Sequence, residues 1–264
     1  MASLIQRLAS TRPERVCLTV DLEHDCPPHL TTYAGIEEGV PRLLALFADA
    51  GVPATFFTTG DVARRYPQAI ERLVAAGHEL GCHGDTHRRF STMTLDEARR
   101  EIGEATAVLR RFAPVVSFRA PNLDLPEAHL EILAAAGYRL DSSQGRHKLG
   151  SYFVAPTFGA PLARVPASMS PSVMRLPTAV RRRIAERLED PVVLFVHPWE
   201  FVDQRRSNLR LDNRFRTGDA ALLCLRENID YFRARGARFL RLADLLGPAD
   251  QGARRATLQD RPGL

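Results

Sequence analysis

A chain of 264 residues, 45% of them hydrophobic, is long enough for one α/β domain with a sizeable core, and no apolar run approaches the length of a bilayer span. The formal net charge of +5 rests almost wholly on arginine, since Lys148 is the single lysine among 36 basic residues. The arginines fall on helical stretches such as Arg181, Arg182 and Arg183 or alternate with acids, so solvated faces are expected rather than a nucleic-acid stripe. Four cysteines, Cys17, Cys26, Cys82 and Cys224, make no CxxC pair and are expected as reduced thiols. Residues 1–15 carry a short apolar patch (Leu4, Ile5, Leu8) without the longer core of a secretion signal, so a cytoplasmic protein is expected.

Apolar runs alternate with amphipathic stretches, the pattern of repeated βα units around a mainly parallel sheet or barrel. Residues 16–22 predict a first strand that ends in acids, and leucines at helical spacing predict a helix over 39–50. A β-rich strand over 54–59 brings Thr58, Thr59 and Asp61 to the same end. A helix over 62–76, closed by Gly77, precedes a strand over 79–82 that runs into His83. Over 94–111, Thr94 and Glu97 stand at capping-box spacing, with Asp96 and Glu97 in the first turn and Arg110 and Arg111 at the end, as the helix dipole favours. Next come a strand over 115–119, a helix over 127–136 stopped by Gly137, and a strand over 138–141. Residues 142–177 lack periodicity and are expected to form a substrate-facing loop region. A buried strand over 192–196 leads to His197, a helix covers 220–235, and a seventh strand spans 238–242. The expectation is a single catalytic domain over 1–264, with its core over about 16–245 and a disordered tail over 248–264.

Asp21, Glu23, His83, Arg119, Asp141 and His197 each stand at or just past the C-terminal end of a predicted strand, where parallel α/β folds build their active sites. One such histidine would more often be structural, but six polar residues together argue for a site. His83 and His87 are spaced to share one metal with a carboxylate. Gly84 after the first histidine removes the helical zinc-protease reading, and on these residues alone a pair of surface-loop histidines is an equal reading. Cys82 is expected in the core. Trp199, the single tryptophan, could stack on a sugar or plug the rim, and Glu200 could pair with an amine or nearby arginines.

Four segments carry a family likeness: Val16-Cys-Leu-Thr-Val-Asp21-Leu-Glu23, His83-Gly-Asp-Thr-His87, Ser117-Phe-Arg119-Ala-Pro121-Asn122 and Leu194-Phe-Val-His197-Pro-Trp199-Glu200. In order and spacing they resemble the motifs of the NodB-homology polysaccharide deacetylases, over about residues 16–245. The resemblance implies a distorted, usually seven-stranded (β/α) barrel that removes an N-acetyl or N-formyl group from an amino sugar. It implies a divalent metal, Zn2+ or else Co2+, Mn2+ or Ni2+. By the same resemblance Asp21 is the catalytic base, His83 and His87 are metal ligands, and Arg119 holds the base. His197 is then the general acid, and Asp141 orients it. Many members have adjacent aspartates in the first motif, whereas this chain reads Asp21-Leu22-Glu23-His24-Asp25. The third ligand is therefore Glu23, which strand alternation puts on the side of Asp21, or Asp25. The expected partner is an N-acylated amino sugar, nucleotide- or lipid-linked, with no nucleic acid and no membrane span. Two competing readings are an allantoinase-like hydrolase of a non-sugar C–N bond and a degenerate glycan-binding barrel.

Overall fold

β1 (Arg15–Leu22) is apolar at most positions and buried along most of its length, because it pairs in parallel with β2 (Ala54–Thr58) on one edge and β7 (Val192–Val196) on the other. The computed structural model describes residues 13–145, 155–159 and 162–247. The tail over 248–264, the patch at Leu4, Ile5 and Leu8, and Lys148 lie outside the described residues. After β1 come α1 (Val40–Ala50), which ends on Gly51 in the left-handed conformation, and then β2. The helix expected over 62–76 is two helices, α2 (Gly60–Arg65) and α3 (Pro67–Ala75). Pro67 causes the break: it lacks an N–H and bars the preceding residue from helical angles, so Tyr66 sits at φ −126°, ψ 53°.

β3 (Glu79–Cys82) follows as expected, and α4 (Leu95–Leu109) carries the full capping box between Thr94 and Glu97. β4 (Ser117–Phe118), α5 (Leu130–Ala135) and β5 (Leu140–Asp141) are shorter than their apolar runs. The stretch read as irregular contains β6 (Ala163–Arg164) and α6 (Pro171–Met174), too short to show a period, and α7 (Thr178–Ala185) follows it. After β7 come α8 (Leu211–Arg214), α9 (Asp219–Arg233) and β8 (Arg238–Leu240).

The strands run in the order β6-β5-β4-β3-β2-β1-β7, all parallel, and β8 pairs with β1 over Arg15–Cys17, below the β2 pairing. The seventh strand of the main path is therefore β6, not the segment over 238–242. The sheet curls until the chain after β6 reaches β7, with Met169 bridging Leu194 and the Ser168 N–H donating to the Val193 carbonyl at 2.7 Å. This is the distorted (β/α) barrel. Its N-terminal end is closed by buried Glu79, whose carboxylate accepts from Thr55 Oγ1 (2.7 Å), Ser117 Oγ (2.5 Å) and the Ala243 N–H (3.0 Å). Among the described residues no helix is long and apolar enough to cross a membrane.

Two arginines are structural, one of them Arg181, which was expected on a solvated face. Arg181 is buried, donating to the carbonyls of Met174 and Cys224 and pairing with Glu227. Arg175, also buried, donates to the carbonyls of Asp212, Asn213 and Phe215 and so pins the α8 segment.

Candidate active site

The parallel register aligns the C-terminal ends of β1, β3, β4 and β7, so Asp21, Glu23, His83, Arg119 and His197 meet at one end of the barrel. His83 Nε2 lies 3.1 Å and His87 Nε2 2.5 Å from the same oxygen, Glu23 Oε2. Donor atoms of the three residues all lie within 4.8 Å of one another. The other nitrogen of His83, Nδ1, faces the Arg119 carbonyl at 2.8 Å and must donate its proton there. With Nδ1 so engaged, Nε2 is the nitrogen left to face Glu23, and a metal ion or a proton held between the two makes that contact favourable. A ligating histidine whose second nitrogen donates to a backbone carbonyl is the usual metal-site arrangement, and two imidazoles with one carboxylate fit a divalent transition metal. Burial alone would raise the Glu23 carboxyl, but the charge of His87 and the hydrogen bonds with His83 and His87 hold it well below the ordinary carboxylate range.

The loop that carries both histidines is held from beneath. Buried Glu101 on α4 accepts from the N–H groups of Asp85 (2.9 Å) and Thr86 (2.6 Å) through one oxygen, and Arg64 grips Asp85 with two 2.8 Å bonds. Within this loop Gly84 (φ +76°) and His87 (φ 62°) both take left-handed angles, the latter a strained conformation for a residue with a Cβ.

Arg119, fully buried, donates Nη1 to Asp21 Oδ1 (2.7 Å) and Thr19 Oγ1 (2.8 Å), and Nη2 to Ser142 Oγ (2.9 Å). Phe57 lies under its guanidinium at 4.3 Å from the ring centroid. The second oxygen of Asp21 is left facing His197, whose Nε2 stands 3.9 Å from both Asp21 Oδ2 and Glu23 Oε1. His197 Nδ1 and its backbone N–H both meet Glu200 Oε1, at 2.8 and 2.9 Å. Burial disfavours the charge on this imidazole, yet the hydrogen bond to Glu200 and the charges of Glu23, Glu200 and Asp21 outweigh it and raise the pKa to about 9. Asp21, Glu23, His83, His87 and His197 line a cleft of about 220 Å³ together with Asn122, Phe195 and Trp199.

Two expected site residues lie elsewhere. Asp25 is outside the ligand cluster because its carboxylate is spent on the loop after β1: Oδ2 accepts from Thr32 Oγ1 (2.7 Å) and the Ala34 N–H (2.8 Å), and Oδ1 from the Gly35 N–H (2.8 Å). Asp141 accepts from the Ser143 N–H (2.9 Å) and Arg164 Nε (3.1 Å), and the carboxylate on His197 is that of Glu200. Trp199, on the wall of this cleft, is 5% exposed and stacks on His197 at 5.5 Å. Cys82 is buried, its thiol pushed up to about 12 chiefly by burial. Thr19, Ser142 and Glu101 carried no local signal, because their contacts arise only across the barrel. Glu200 did have one, standing three residues after His197 where a short turn brings its carboxylate back to the imidazole.

Residues 9–140 match the polysaccharide deacetylase family profile. A peptidoglycan deacetylase of Helicobacter pylori is 30% identical over 125 residues, 46% of this chain and 42% of that protein. A chitooligosaccharide deacetylase of Sinorhizobium fredii is 39% identical over 79 residues, 30% of this chain and 37% of that protein. The match thus spans less than half the length of either relative. The fold is similar to that of a Mycobacterium smegmatis protein assigned to the polysaccharide deacetylases, with TM-score 0.63, 20% identity, and coverage of 95% of this chain and 94% of that one.

Proposed function

The chain belongs to the polysaccharide deacetylase family, and on that premise we propose that it hydrolyses the N-acyl bond of an amino sugar. The observation that carries this reading is the convergence, in one cleft, of the Glu23, His83 and His87 cluster with the Arg119–Asp21 pair and the His197–Glu200 pair. Glu23, His83 and His87 would hold one divalent metal, for which Zn2+ suits two nitrogens and a carboxylate. When bound, such an ion supplies Lewis acidity, acidifying water and stabilising negative charge on an amide oxygen.

The remaining chemistry belongs to side chains. Asp21 uses Oδ2, the oxygen that Arg119 does not hold, to take a proton from water as that water attacks the acyl carbon. Arg119, fixed by Thr19 and Ser142, keeps Asp21 in the orientation this needs. His197 then gives its Nε2 proton to the nitrogen as the C–N bond breaks, releasing a free amine and a carboxylic acid. Glu200 holds the imidazole by Nδ1, so that Nε2 is the nitrogen presented to the cleft.

The substrate class follows the relatives' names: an N-acetylated amino sugar, with an N-formyl sugar as the second acyl class. We include nucleotide- and lipid-linked biosynthetic precursors. A mass-spectrometric screen of N-acetyl and N-formyl amino sugars, in free, oligomeric, nucleotide-linked and lipid-linked form, tests this directly. Loss of about 42 mass units (acetyl) or about 28 (formyl) from any of them supports the reading. No mass change with metal-loaded protein, or ring opening of an allantoin-like ureide with the gain of one water instead, contradicts it.

A further inference from the structure

A single turn of chain separates the catalytic cleft from a larger one. Asn213 lines the first, while its neighbours Leu211, Arg214, Phe215 and Arg216 line the second, of about 680 Å³. Arg42 and Arg205 also face this second cleft, but each is matched by an aspartate on the same wall, Asp219 and Asp203 respectively. Arg214 and Arg216 have no acid partner among the described residues. Arg216 donates only to the Arg175 carbonyl, at 3.1 Å, and the Nε of Arg214 is buried without any hydrogen-bond partner. A buried guanidinium N–H left unmatched is unfavourable, and the natural complement of two uncompensated guanidinium groups is a multivalent oxyanion. Phosphate fits best, because the planar fork of arginine pairs with it in bidentate fashion. Beside these charges Leu211 and Phe215 are 69% and 43% exposed, an apolar rim for whatever the phosphate carries.

The wall between the two clefts is tied to the chemistry. Arg175 holds the carbonyls of Asp212, Asn213 and Phe215 and also lies 3.4 Å from Glu200, the partner of His197. We propose that the second cleft binds a phosphate of the substrate, so that the preferred substrate is an amino sugar bearing a phosphate or diphosphate whose organic portion covers Leu211 and Phe215. This rests on the deacylase reading for the sugar, but the anion site can be measured without turnover.

Calorimetric titration of the metal-loaded protein with inorganic pyrophosphate should show binding that Arg214→Gln weakens by about 10-fold or more, and that Arg214→Lys, which keeps the charge but not the fork, weakens less. No binding to the wild type overturns the proposal, as does binding that Arg214→Gln leaves intact, the result expected if the anion sits at the metal instead. In turnover, N-acetylglucosamine 1-phosphate and its nucleoside- and lipid-diphosphate conjugates should show a lower KM than N-acetylglucosamine, and Arg214→Gln should remove that preference through KM rather than kcat. The relative KM of the two conjugates tells which phosphate source is used. Equal KM for neutral and phosphorylated sugars in the wild type overturns the proposal. Pyrophosphate bound at Arg214 with no acyl release from any sugar would contradict the deacylase reading and leave the anion site standing.

Discussion

At Glu23 one carboxylate oxygen faces two imidazole nitrogens, whereas two positions later Asp25 spends both its oxygens on Thr32, Ala34 and Gly35. The two acids are therefore separable by experiment. Glu23→Gln should lower metal affinity by 10-fold or more, measured by competition with a chelator, with little change in melting temperature. Asp25→Ala should still bind one ion per chain but lose about 2–4 kcal/mol of stability in denaturant unfolding, since three hydrogen bonds to a charged group disappear. The opposite pattern would exchange their roles. A second prediction concerns His197, whose pKa is raised to about 9 against its burial, the hydrogen bond to Glu200 being the largest favourable cause. A general acid is active while protonated, so activity should fall on the alkaline side as His197 loses its proton. Glu200→Gln removes a charge that favours the protonated ring, so the alkaline limb of kcat/KM should move to lower pH. A bound cation also lowers this pKa, so the comparison is between the two proteins and not with the value 9. An unmoved limb would take Glu200 out of this role.

Among the elements, β1, β3 and β7 were legible because each is a mainly apolar run with a polar site residue at or just past its end: Asp21, His83, His197. The capping box of α4 was legible because it is local, Thr94 and Glu97 lying three residues apart. The split at Tyr66 was also written in the sequence, since Pro67 forbids a continuous helix, but the apolar spacing of Val62, Tyr66, Ala69, Ile70 and Leu73 ran across it. Ser142 and Glu101 were not legible, as each meets the site through residues more than ten positions away. The choice between Glu23 and Asp25 turned on where β1 releases the chain, which alternation alone does not fix. Glu101 supplies the element-scale prediction. It holds the N–H groups of Asp85 and Thr86 between the two histidines, so Glu101→Ala should loosen the loop and cut metal affinity by roughly 10–100-fold, the range for groups that orient ligands from behind. Affinity unchanged by Glu101→Ala would mean that the Arg64–Asp85 pair and the strained turn at His87 suffice.

For the whole molecule, the curl of a parallel sheet is what turns separate strand ends into one site. Asp21 and Arg119 are 98 positions apart in the chain yet 2.7 Å apart in space, and the Ser168–Met169 segment bonding to β7 draws the two edges of the sheet together. The family membership and this set of polar groups support the proposal that this barrel is a metal-dependent deacylase of amino sugars. The most direct measurement is acetate release from N-acetylated chito-oligosaccharides and peptidoglycan fragments by three preparations: chelator-stripped protein, the same protein reloaded with Zn2+, and reloaded Asp21→Asn. Release is expected only after reloading, with a loss of about 10² or more in Asp21→Asn while its metal content and melting temperature stay intact. Release that survives stripping, or that Asp21→Asn leaves unchanged, would contradict the proposal.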